Sequence, residues 1–104
     1  MENSYYQKNS ELLEIIDNSI KDVDSTKQCA IPKLPSYYLW FSQQRFIDRL
    51  MKFKINSKND IFEIKLWSYI DERFAFVDIH GEFEEEKSKL KTSLMNIKKF
   101  FSFK

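Results

Sequence analysis

The chain has 104 residues and a formal net charge of +1, with 42% hydrophobic and 16% aromatic residues, the size and apolar content of one domain (1–104) around one core. Near-neutrality excludes both a globally basic nucleic-acid binder and a globally acidic nucleic-acid mimic. The single cysteine, Cys29, excludes an internal disulfide and a Cys-rich zinc site, and the single glycine, Gly81, excludes a Walker loop, a Rossmann fingerprint and a nucleophile elbow.

Ser4 and Gln7 have the spacing of a capping box, and Leu12, Leu13, Ile16, Ile20 and Val23 follow at steps of three and four. The pattern predicts a first helix over about residues 5–23. Pro32 and Pro35 then forbid a regular helix through residues 24–35, which reads as a loop. Residues 36–41, with five large apolar or aromatic side chains, fit either a third strand or the first turns of a helix capped at Ser36. From there Phe46, Ile47, Leu50, Met51 and Phe53 form a helical stripe.

A polar turn cluster at residues 56–60 is followed by a change of period. Phe62, Ile64, Leu66 and Ile70 alternate with Glu63, Lys65, Trp67 and Tyr69, the pattern of a strand with one face in the core. Asp71-Glu72-Arg73 turns the chain into Phe74–Ile79, rich in β-favouring residues, so the two segments pair as an antiparallel hairpin, 61–70 with 74–79. Gly81 marks the step into the last helix, where a positive φ or a close backbone approach is expected. In that helix Phe83, Leu90 and Ile97 are spaced by seven, as are Leu94 and Phe101, with glutamates first and lysines after, the order the helix dipole favours. The expected fold is α+β, a small antiparallel sheet packed against three helices.

Catalytic chemistry has little to stand on. Asp78-x-His80-x-Glu82 has a metal-ligand spacing, but no further histidine or cysteine supplies a third strong ligand, and polar residues before a glycine turn are ordinary. Cys29 has no neighbours that would lower a thiol pKa and reads as a small buried residue. The expectation is a non-enzyme with no cofactor and no metal.

Charge alternates by segment: residues 1–35, 36–60, 61–86 and 87–104 carry net −2, +3, −6 and +6. The acidic stretch, Asp71, Glu72, Asp78, Glu82, Glu84, Glu85 and Glu86, is the candidate binding surface, with Trp67 and Tyr69 as aromatic anchors. A helix N-terminus accounts for Glu82 to Glu86 by stability alone, but not for an acidic turn and strand before it. The partner expected is a basic protein, a toxin or nuclease domain, and the chain an immunity-type inhibitor or an antagonist of host defence. Its many lysines, asparagines, isoleucines and phenylalanines suggest an AT-rich gene, as in phages and acquired islands. Two other readings compete: a nucleic-acid module using the basic face 45–58 and the lysine-rich tail, and a homo-oligomer built on the last helix. No apolar run approaches the ~18 residues of a membrane span and no secretion signal is evident, so no membrane partner and a cytoplasmic location are expected.

Overall fold

A computed structural model describes the backbone of residues 2–56 and 60–102, and the side chains of residues 9–53 and 63–102. Among the described residues there are four helices and no strand: α1 (Glu2–Ser25), α2 (Tyr37–Asn56), α3 (Asp60–Arg73) and α4 (Phe83–Phe101). The expected α+β fold is therefore overturned. Residues 36–41 open α2 instead of forming a third strand, residues 61–70 lie in α3, and residues 74–78 are extended but pair with no other strand. The turn expected at 56–60 falls largely on residues 57–59, outside the described residues.

The helical stripes read from the sequence do form the core. Leu12, Ile16 and Val23 of α1, Leu39, Phe46 and Leu50 of α2, and Leu90, Leu94, Ile97 and Phe101 of α4 are all essentially inaccessible to water. Each such side chain contributes roughly 1.5–3 kcal/mol by leaving water. α1 begins at Glu2, so Ser4 and Gln7 lie inside the helix and not at its start. α1 packs along both α2 and α4, while α2 and α4 meet over a smaller surface. Ion pairs fix the directions: Asp22 of α1 meets Arg49 at 2.8 Å, Asp24 meets Lys91 at 2.8 Å and Asp17 meets Lys98 at 2.8 Å. As α1 descends, its partners on α4 ascend. α1 is thus antiparallel to α4, and since Ser19 meets Arg49 while Thr26 meets Ser42, α1 is antiparallel to α2 as well, so α2 and α4 run parallel.

Parallel neighbours need a return connection, and α3 with residues 74–82 supplies it. Leu66 and Ile70 are buried, one helical turn apart, and the ring of Tyr69 lies 5.0 Å from that of Phe100 near the end of α4. The period-two reading would have buried Ile64, but Ile64 is 63% exposed, the most exposed large apolar residue among those described. α3 otherwise touches the rest of the bundle only sparsely, and the radius of gyration, 14.5 Å, exceeds the about 13 Å of a compact domain this size. The molecule is elongated, 51 × 21 × 21 Å.

Residues 74–82 then run back along α2 and α4 as a strap. An extended segment has no internal hydrogen bonds, and a buried amide without a partner costs about 1–3 kcal/mol. Here the partners are side chains. The Ala75 N–H donates to Ser93 Oγ (3.0 Å), the Val77 N–H to Gln43 Oε1 (2.7 Å) and the Asp78 N–H to Glu86 Oε1 (2.9 Å). At the far end the Ser36 N–H donates to the Ile79 carbonyl (3.2 Å) and Ser36 Oγ to the Gly81 carbonyl (2.9 Å). Among the described residues, Ser36, Gln43, Glu86 and Ser93 are four of the six buried polar residues, and this is their use. The other two, Ser19 and Ser42, accept from Arg49 and Arg45 on the α1–α2 seam.

Candidate functional site

The nine residues proposed for partner binding do not form one surface. They fall into two groups, one on α3, whose Tyr69 ring meets Phe100 near the C-terminal end of α4, and one at the N-terminal end of α4. Trp67, Tyr69, Asp71 and Glu72 belong to α3 beside the C-terminal end of α4. Trp67 and Tyr69 are half-buried against the core, and the Arg73 guanidinium lies over the Tyr69 ring at 5.2 Å. These two aromatics help hold α3 to the bundle.

Asp78, Glu82, Glu84, Glu85 and Glu86 gather at the N-terminal end of α4, but their carboxylates have different employments. Asp78 Oδ1 accepts the His80 N–H (2.9 Å) and its carbonyl accepts the Gly81 N–H (2.9 Å), which closes the turn. Glu82 is the N-cap of α4: its carboxylate accepts from the Glu85 N–H (3.0 Å) and more weakly from the Glu84 N–H (3.4 Å). Glu86 is buried, shared between the Asp78 amide and Lys89 Nζ (2.8 Å). Its hydrogen bond holds Lys89 above the ordinary lysine value, so the lysine stays charged through neutral pH and gives up its charge only in strongly alkaline solution. Glu84 and Glu85 remain exposed on the first turn.

Gly81 is explained by crowding alone. It has no positive φ, but a Cβ there would lie 2.7 Å from Glu86 Cγ and 2.8 Å from Glu86 Oε2. The buried carboxylate reaches the strap across the face of this glycine. His80 is exposed, its Nδ1 2.9 Å from the Lys33 carbonyl, which makes Nδ1–H the donor and ties the turn to the 26–36 loop. With Asp78 and Glu82 both turned to backbone amides, the Asp-x-His-x-Glu spacing does not converge, and among the described residues no three His, Cys, Asp or Glu side chains group to hold a metal. Cys29 is buried with its N–H donating to the Pro35 carbonyl.

The first turns of α2 carry four aromatics within five positions. Tyr37, Tyr38, Trp40 and Phe41 stack on one another, with the Tyr37 and Phe41 rings 4.8 Å apart and the Trp40 and Phe41 rings 5.4 Å apart. Tyr38 and Phe41 are 47% and 41% exposed. The crowding of four aromatics in five positions was the signal, since one helix face cannot hide them all. Because Ser36 bonds to residues 79 and 81, this aromatic turn shares an end of the bundle with the carboxylates of Asp78, Glu82, Glu84 and Glu85.

Among the described residues, five cations on or near the surfaces of the competing nucleic-acid reading have partners within the fold. Arg45 and Arg49 flank Asp22 at 3.6 and 2.8 Å, and Lys91 and Lys98 bridge to α1. Lys87 Nζ donates to the carbonyls of Asp24 and Thr26, both at 3.2 Å, capping the end of α1. No helix of the described residues is long and apolar enough to cross a membrane.

Fold and site together describe a helical bundle with a strap held by side chains and an acidic, aromatic end. Compared with known proteins, the chain matches no family model, no curated protein and no solved structure.

Proposed function

We propose that the chain is a non-catalytic binding protein of the cytoplasm, an immunity-type inhibitor that occludes the cationic active site of a basic toxin or nuclease-like domain. The observation that supports this reading is the shared end of the bundle, which carries both the exposed carboxylates of Asp78, Glu82, Glu84 and Glu85 and, toward α1, the exposed rings of Tyr38 and Phe41. Carboxylates steer a basic partner and suppress wrong ones, while aromatics supply rigid anchoring area. The anchors are Tyr38 and Phe41, because Trp67 and Tyr69 are half-buried at the other end.

The test is recovery of a tagged copy from its native host at moderate salt, with identification of what stays bound. A stoichiometric basic protein, inhibited by the purified chain and released by Glu84→Lys with Glu85→Lys or by Tyr38→Ala, is the expected result. Glu86 is left intact, since its carboxylate serves the fold. Nucleic acid recovered without a protein partner would overturn the reading and favour the basic surfaces instead.

A further inference from the structure

Among the described residues, Ile64, Lys65, Ser68 and Glu72 on the outward face of α3 meet no partner from another helix except the Phe100 edge. Ile64, Lys65, Ser68 and Glu72 follow one another at helical spacing on one stripe, all exposed, and with Arg73 and Phe100 they line a shallow groove of about 240 Å³. Ile64 and Phe100 are 63% and 37% exposed, and α3 has little contact with the other helices to hide them.

From this face we infer that α3 is a homodimer interface, in which two copies pack antiparallel about a two-fold axis passing between positions 68 and 69. The argument is charge complementarity. In that register Lys65 of one copy lies opposite Glu72 of the other, and the two-fold repeats the pair, giving two reciprocal salt bridges across one seam. Ile64 then faces the aliphatic stem of Arg73 in the second copy, and Ser68, the smallest side chain of the stripe, sits at the crossing point where close approach is needed. A parallel pairing in register would set Lys65 on Lys65 and Glu72 on Glu72, so the charges select the antiparallel arrangement. About three turns of helix bury less than a standard interface, so the dimer is a weak one that dilution separates. This inference is independent of the proposed inhibitor function, whose residues lie at the other end of α4.

Sedimentation or light scattering of the full chain across a dilution series at low salt tests it. The expected mass rises from 12.6 kDa toward twice that value with concentration. Lys65→Glu and Glu72→Lys each set like charges opposite one another and hold the chain at monomer mass, and Ile64→Asp does the same by removing the apolar contact. An equimolar mixture of Lys65→Glu and Glu72→Lys, one carrying a mass tag, restores both salt bridges and forms a heterodimer. A wild-type mass of 12.6 kDa at every concentration overturns the inference. So does a dimer indifferent to the single reversals, or failure of the mixed variants to associate while circular dichroism shows both folded.

Discussion

The bundle of α1, α2 and α4 and the strap at residues 74–82 are held by opposite means. In the bundle each helix satisfies its own backbone, so the helices meet through apolar stripes with ion pairs at the margins. The strap closes its own turn at Asp78–Gly81, but its extended part borrows acceptors from α2 and α4. Buried Ser36, Gln43, Glu86 and Ser93 are therefore not flaws in the core but the fittings for a segment that is neither helix nor sheet.

Three substitutions separate the two modes, taken from the largest expected effect downward. Leu90→Ala, at a position with no exposure, should cost about 2–5 kcal/mol by lost burial and cavity formation, read as a shifted midpoint in denaturant. Gln43→Ala should cost about 1–3 kcal/mol and, more tellingly, speed hydrogen exchange at the Val77 amide while the α1 and α4 amides stay protected. Uniform loss of protection across all helices would show that the strap and bundle are one cooperative unit. Lys98→Ala, which removes a half-exposed ion pair to Asp17, should change stability by no more than about 0.2–1 kcal/mol, and less in high salt.

Much of the bundle was legible because three-and-four spacing is a property of one segment. Leu12, Ile16 and Val23, or Leu90, Leu94 and Ile97, declare a face without reference to anything else. α3 was misread because its apolar residues satisfy two periods at once: Ile64, Leu66 and Ile70 alternate as in a strand, while Leu66 and Ile70 are also a helical turn apart. Only the bundle decides between them, by burying the second set and leaving Ile64 in water. The strap was recognised as extended but assigned a strand partner, because β-favouring side chains in Phe74–Ile79 report backbone shape and not what accepts the hydrogen bonds. Those acceptors lie 34 residues away in Gln43, 8 in Glu86 and 18 in Ser93, and no local pattern points to them. The acidic run was legible as composition. Its division into a cap, a turn, a buried brace and two exposed carboxylates depended on the position of each relative to one helix start.

The parallel course of α2 and α4 has an electrical consequence for the end that carries those carboxylates. Two helix N-termini and the C-terminus of α1 meet there, worth about +0.5 charge for each N-terminus and about −0.5 for the C-terminus. The backbone thus contributes a residue of about +0.5 beneath the side chains of Asp78, Glu82, Glu84 and Glu85. That is too little to mask them, and the two antiparallel dipoles of α1 and α4 largely cancel with distance, leaving a field of short range. A partner drawn to this end therefore answers at a distance to the charged side chains on its surface, and to the helix ends only when already close.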